Sequence, residues 1–231
     1  MRNIAVRNVM TMLDLIFPGI NNSSSKFNLP IWPNPNLPWS IISPNENKSI
    51  INQILEFKDS PENKFKNMER VFFDTTNGPI HIDSTAKIGE YVKIEGPCYI
   101  GKNAQIRHGA FLRRGSWICE NAIVGHCSEI KNSILLPGSK APHFNYVGDS
   151  ILGFDVNIGA GAKLSNVRND GRSILVNLKN GKKIDTELRK FGSLIGDGSE
   201  IGCNVVSNPG TILEPKTMIN PNSTLKGWVK N

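Results

Sequence analysis

Aromatic residues make up only 7% of the chain, and no apolar run approaches the length needed to cross a bilayer. The first absence argues against a helical bundle and the second against membrane insertion. No Lys/Arg run is dense enough for a nucleic-acid-binding arm, so nucleic acid is not an expected partner. The four cysteines (Cys98, Cys119, Cys127, Cys203) show neither CxxC nor metal-finger spacing. That pattern excludes a zinc finger and a disulfide framework, and it fits reduced thiols in the cytoplasm. The opening stretch MRNIAVRNVMTMLDLIFPGI is interrupted by Asp14 and lacks a small-residue cleavage site, so it reads as an amphipathic helix rather than a signal peptide. Residues 1–75 hold no glycine-rich phosphate loop, and no nucleotidyl transfer is expected of this chain.

What is abundant is Gly, Pro and Asn, with a net charge of +7. Those residues favour turn-rich β structure, and the charge suits an anionic partner. The dominant feature is a repeat. Ile82, Ile88, Ile94, Ile100, Ile106, Leu112, Ile118, Val124 and Ile130 stand six apart without a break. A small or modest residue follows most of them at +4, as in Ala86, Cys98, Ala104, Ala110, Ser116 and Ala122. The pattern returns at Leu152, Ile158 and Leu164, and again from Ile195 to Leu225, with Ser207 in one aliphatic slot. One aliphatic and one small inward residue per hexad predict short strands joined by tight corners, three to a coil. Coils then stack in parallel about 4.8 Å apart. The fold class is therefore all-β: a single-chain parallel β-helix.

The expected organisation is an N-terminal helical and Pro-rich appendage over 1–77 and a β-helix over 78–231. The appendage has helices near 4–17 and across NKSIINQILEFK (47–58), joined by NLPIWPNPNLPW; Trp32 and Trp39 suggest that it docks on the prism. Within the β-helix, 166–192 reads as an inserted β-hairpin turning through a type I′ Asn180-Gly181 pair. After Ile130 the inward positions fall on Leu136, Pro142 and Gly148. Proline and glycine cannot fill an aliphatic slot, so the chain is expected to leave the regular coil around 137–147.

Residues eighteen apart share a column. Arg113 and Lys131 are such a pair, and two stacked cations repel unless an anion or solvent intervenes. They read equally as a phosphate clamp or as a solvated basic face. His108 and His126 form a second pair, but His81 lies outside that column and His143 falls in the interruption. A zinc site needs three protein ligands, so no metal is expected.

At this point Leu112-Arg113, Lys131, KAPHFNYVGD (140–149), VNIGAGA (156–162) and Asn166 resemble, without a gap, the acetyltransferase domain of the bifunctional enzymes that make UDP-N-acetylglucosamine. These are left-handed β-helix, hexapeptide-repeat acyltransferases; the resemblance covers roughly 80–228 and supplies the handedness. It implies an acetyl-CoA-dependent N-acetyltransferase acting on an amino-sugar-1-phosphate such as glucosamine-1-phosphate, in a homotrimer. It implies that Arg113 and Lys131 hold the phosphate, that Tyr146 and Asn157 contact the sugar, and that Asn166 orients the amine or the acetyl carbonyl. His143 would be the general base and the Ala160 N–H the oxyanion donor, with Cys203 beside acetyl-CoA. A further phosphate-binding cation would come from Arg172, Lys179, Lys182 or Lys183. Pro221 departs from the small-residue coil usual at the donor site, which leaves a non-catalytic sugar-phosphate or nucleotide-sugar binding module as the alternative.

Overall fold

The structure, a computed structural model, describes residues 10–23, 26–57, 65 and 68–230. It is a left-handed parallel β-helix with three faces of eight, eight and seven short strands. Face 1 begins at Val71–Asp74 and runs through Phe111–Leu112, Glu129–Lys131 and Tyr146–Gly148 to Thr224–Leu225. Face 2 runs from Ile80–Ile82 to Trp228–Val229, and face 3 from Lys87–Ile88 to Met218–Ile219. Strands are two to four residues long because each must turn a corner. Most corners place Gly, Asn or Asp at positive φ, as at Asn103, Gly115, Asn121, Asn132, Gly138 and Asp149, residues that tolerate the left-handed region.

The inward column is continuous, and it overturns the expectation that the chain leaves the coil around 137–147. After Ile130 the interior positions are Leu135, Ala141, Val147 and Leu152, all fully buried. Lys140–His143 and Tyr146–Gly148 are regular strands of faces 3 and 1. The register is kept because two coils are one residue short at the corner between faces 1 and 2. Ile130 pairs with Val147 and Ile134 with Ile151, seventeen positions on rather than eighteen. Buried serine hydroxyls take up the hydrogen bonds of the shortened corners. Ser133 Oγ donates to Lys131 O (2.7 Å) and accepts from Ser150 N (3.0 Å). Ser150 Oγ donates to Gly148 O (2.8 Å) and accepts from Ser193 N (3.0 Å). Leu136 thereby turns outward, into a second core.

That second core lies on the outer side of face 2. Tyr99, Trp117, Ile134, Ile151, Leu194, Ile212 and Trp228 stand in one outward register column. It is covered by Ile16, Phe17, Trp39, Ile41, Ile50 and Ile54 of the N-terminal segment, and by Ile174, Val176, Leu188 and Phe191 of the insertion. Face 2 is thus apolar on both sides, as parallel sheets buried on both faces are. The Pro-rich stretch forms a short 3₁₀ turn, Pro38–Ile42, that presses Trp39 onto Phe191 at a ring-centroid distance of 5.8 Å.

The first expected helix is shorter than its apolar pattern. It spans Met12–Ile16, set by a capping box between Thr11 and Asp14; the expected positions 4–9 lie outside the described residues. The second spans Ile50–Leu55, with Ser49 capping through Asn52 N; position 58 lies outside the described residues. The insertion carries the expected antiparallel pair, Leu175–Asn177 with Lys183–Asp185. Its turn is not type I′, because only Gly181 has positive φ. Gly181 N donates to Leu178 O (2.9 Å) and Leu178 N to Lys182 O (2.7 Å), which makes a three-residue loop closed by a left-handed glycine.

Asp197 joins the N-terminal segment to the prism. Its carboxylate accepts from Gly19 N and from Phe154 N, both at 2.8 Å. Burial pushes its pKa up to about 6, against the lowering effect of those two N–H groups. The folded chain therefore holds a proton that the unfolded chain releases between about pH 4 and pH 6. Stability is expected to fall as pH rises through 6, by at most about 3 kcal/mol. Melting temperatures taken between about pH 4 and pH 7 should show this slope up to about pH 6 and a plateau above it, and Asp197→Asn should flatten the slope.

Candidate active site

The sequence-predicted residues fall in two groups on the two edges of face 1. On the edge shared with face 2 lie Arg113, Lys131 and Asn166, and Tyr146, at the start of its face 1 strand, reaches across to them; the group is organised by a residue that the sequence reading left without a role, Asp149. Its side chain is 4% exposed and that of Lys131 is 16% exposed. Lys131 Nζ donates to both Asp149 oxygens (3.0 and 2.9 Å). Asn132 Nδ2 donates to Asp149 Oδ1 (2.8 Å) and Asn166 Nδ2 to Asp149 Oδ2. Asn166 Nδ2 also reaches the Tyr146 hydroxyl (3.2 Å). A chain of contacts thus runs from Tyr146 through Asn166 and Asp149 to Lys131. Gly148 makes room for it, since a Cβ there would stand 2.6 Å from the Tyr146 oxygen and 2.7 Å from Asn166 Nδ2.

Arg113 and Lys131 do share a column, through Leu112 paired with Ile130. Their repulsion is relieved within the chain, because Arg113 Nη1 binds Glu129 Oε1 at 2.9 Å and Lys131 binds Asp149. The bond to Glu129 raises the Arg113 pKa further, so the guanidinium stays charged. Lys131 spends two of its three donors on Asp149 and keeps one for a ligand. Burial raises the Tyr146 pKa, opposed by its bond to Asn166, which keeps the phenol neutral and able to donate. Asp149 lies eighteen positions after Lys131, but the coil here has seventeen residues and pairs Lys131 with Gly148, so a count at the period does not place the carboxylate on the Lys131 column.

On the edge shared with face 3 lie His143, Ala160 and Cys203. Backbone bonds along this edge run from Cys127 N to His108 O, Phe144 N to His126 O, Gly161 N to His143 O and Asn204 N to Ala160 O. His143 therefore stands in the same column as His108 and His126, not in an interruption, and it pairs in register with His126. The His108 and His126 rings lie 5.4 Å apart, nearly parallel. The His143 imidazole is exposed, while its backbone N–H is held by Asn145 Oδ1 (3.0 Å). Asn145, left unassigned by sequence, is a buried corner brace whose Nδ2 donates to Gly159 O (2.7 Å). Among the described residues the Ala160 N–H meets no protein acceptor, which leaves it free to bind a developing anion. Cys203 is exposed one coil above it. Asn157 sits on face 3, its Nδ2 bonded to Glu200 Oε2 at 3.1 Å.

The hairpin cations separate. Arg172 is exposed and bound to Asp170, which it shares with Arg168, and Lys179 is paired with Glu214. The insertion cations that reach the neighbourhood of Lys131 are Arg189 and Lys190 at its base. No cluster of three or more His, Cys, Asp or Glu able to hold a metal ion occurs among the described residues, and no described helix is long and apolar enough to cross a membrane.

Set beside known proteins, the chain is 34% identical over 156 residues to the bifunctional sugar-1-phosphate nucleotidylyltransferase/acetyltransferase of Sulfurisphaera tokodaii, covering 60% of this chain and 39% of that one. It is 32% identical over 169 residues to the bifunctional protein GlmU of Methanococcus aeolicus, covering 65% of this chain and 41% of that one. The chain thus spans about two fifths of the length of these relatives. Residues 94–223, more than half of it and the stretch that carries both edges of face 1, match the model of the GMPPB C-terminal domain, and the chain belongs to that family.

Proposed function

We propose that the chain is an N-acetyltransferase that moves acetyl from acetyl-CoA to the amine of an amino-sugar-1-phosphate such as glucosamine-1-phosphate, in the UDP-N-acetylglucosamine pathway. The observation that carries this reading is the network joining Arg113, Lys131, Asp149, Asn166 and Tyr146. It offers two cations and neutral hydrogen-bonding groups on one edge, as a phosphorylated sugar requires. The similarity to bifunctional acetyltransferases supports it.

Arg113 and the remaining donor of Lys131 hold the phosphate, Tyr146 and Asn157 contact the sugar, and Asn166 orients the amine or the acetyl carbonyl. His143 takes the proton that the amine loses on attack, the task for which histidine is the commonest side chain. Acetyl-CoA supplies an activated acyl thioester and lies along the edge of Ala160 and Cys203. The free Ala160 N–H stabilises the charge that develops on the acyl oxygen.

The two residue groups occupy opposite edges of face 1, and no contact joins the His143 ring to Asn166 within one chain. A neighbouring prism in a homotrimer would bring one copy's His143 edge to another copy's Lys131 edge. The exposed aromatics on the His143 edge support this. Tyr91 and Phe144 are 52% and 56% exposed and sit at positive φ, where a bulky side chain is strained. The four free cysteines fit a cytoplasmic setting.

Free-thiol release from acetyl-CoA, measured against a panel of amino-sugar phosphates, tests the reading. Sugar-phosphate binding by calorimetry with no thiol release from any acceptor would leave the non-catalytic binding module. Arg113→Ala should raise the acceptor KM about tenfold, the worth of one charged hydrogen bond, with kcat within about twofold. An unchanged KM would remove Arg113 from the phosphate site.

A further inference from the structure

Lys131, Asn132 and Asp149 belong to the network under Tyr146 and also line a cleft of about 470 Å³ that the repeat alone would not create. One wall is the N-terminal segment at Ile42 and Ile51, and the other is the insertion base at Leu188. Both walls are tied to the site. Asn132 Nδ2 donates to Ile42 O (3.0 Å), Phe191 N to Asn166 O (3.0 Å) and Gly192 N to Asp149 O (2.8 Å).

The cleft's charge exceeds what the network uses. Beyond the paired Lys131 and Asp149 it holds Arg114, Arg189 and Lys190 against one carboxylate, Glu187. Among the described residues none of these three cations has a carboxylate within salt-bridge distance; Arg189 donates only to Gly171 O (2.8 Å). The volume lies within the ordinary range for small-molecule sites, roughly 300–1,000 Å³. A bare sugar phosphate seated at Lys131 would leave both the apolar wall and the three cations unused.

We infer that the cleft takes a second anionic group and an apolar or planar body attached to the acceptor's phosphate. The site then admits, beyond an amino-sugar-1-phosphate, an amino sugar linked through a diphosphate to a further moiety. This rests on the phosphate placement at Arg113 and Lys131 proposed above. The recognising chemistry is shared by a nucleoside diphosphate and by an alkyl diphosphate; the cations would bind the phosphates, and Ile42, Ile51 and Leu188 the ring or chain.

The test is calorimetric titration of the full chain with inorganic pyrophosphate, uridine 5′-diphosphate and hexyl diphosphate. At least one of the two substituted diphosphates is expected to bind about tenfold more tightly than pyrophosphate, and the tighter of them identifies the moiety as ring or chain. The double variant Arg114→Ala/Lys190→Ala, which alters two exposed side chains, should weaken that binding about tenfold and leave glucosamine-1-phosphate binding unchanged. Equal binding of all three probes, or an insensitive double variant, would overturn the inference. The two readings fail separately. Thiol release with glucosamine-1-phosphate but no preference for substituted diphosphates removes the cleft's role alone. Cleft binding without thiol release from any amino-sugar acceptor removes the transferase alone.

Discussion

Replacing His143 by alanine is expected to lower kcat by about a hundredfold or more, the usual worth of a positioned general base. The attacking amine must lose a proton, and an imidazole is the group on the donor edge whose ordinary pKa matches neutral pH. Acceptor and acetyl-CoA affinities should stay within about twofold, because the imidazole acts in the transition state rather than in ground-state binding. The melting temperature should not move. The ring is exposed, and the backbone around it is held by Asn145 Oδ1 and by Gly161 N donating to His143 O, neither of which uses the imidazole. Wild-type turnover in the variant would remove His143 as base, and a lowered melting temperature would assign it a structural role.

Trp39→Ala carries the largest expected cost in stability, about 3–5 kcal/mol for a buried tryptophan. Trp39 is 2% exposed and packs on Phe191, inside the core that also holds Trp117, Ile134 and Ile151. Losing it opens a cavity between the N-terminal segment and face 2 and uncovers the outward apolar column. The melting temperature should fall by about 10 °C or more for a chain of this size. The same experiment reaches the site, because Ile42 three residues on is bonded to Asn132 beside Asp149. Acceptor affinity should weaken along with stability. A variant with an unchanged melting temperature would mean that the segment is a detachable strap.

The prism was legible in the residues because its interior admits one aliphatic side chain per hexad, and six positions per face is a period no helix or simple strand produces. Arg113 and Lys131 were legible as a stacked pair for the same reason, since a coil period turns sequence distance into spatial distance. The period also produced the chief error. Counted rigidly past Ile130 it put Leu136, Pro142 and Gly148 inside, whereas the coil drops a residue at the Asn132–Ser133 corner and puts Leu135, Ala141 and Val147 there. Serine hydroxyls that replace backbone bonds make the deletion tolerable, and a hexad count cannot see them. The outward column from Tyr99 to Trp228 carries the same period one position earlier, and only its cover by the N-terminal segment and the insertion makes it a core.

By itself, then, the chain's order of residues determined the β-helix, its three-sided coil and which cations stack, all of which follow from local spacing. Tertiary structure decided what lies eighteen or more positions away and off the period. It gave Lys131 its Asp149, brought His143 into the column of His108 and His126, and set Ile42 and Leu188 around a cleft. Those contacts depend on where two non-repetitive segments, the N-terminal wrap and the inserted hairpin, come to rest. They rest on face 2 because its outward apolar column is the surface that loses most by facing water.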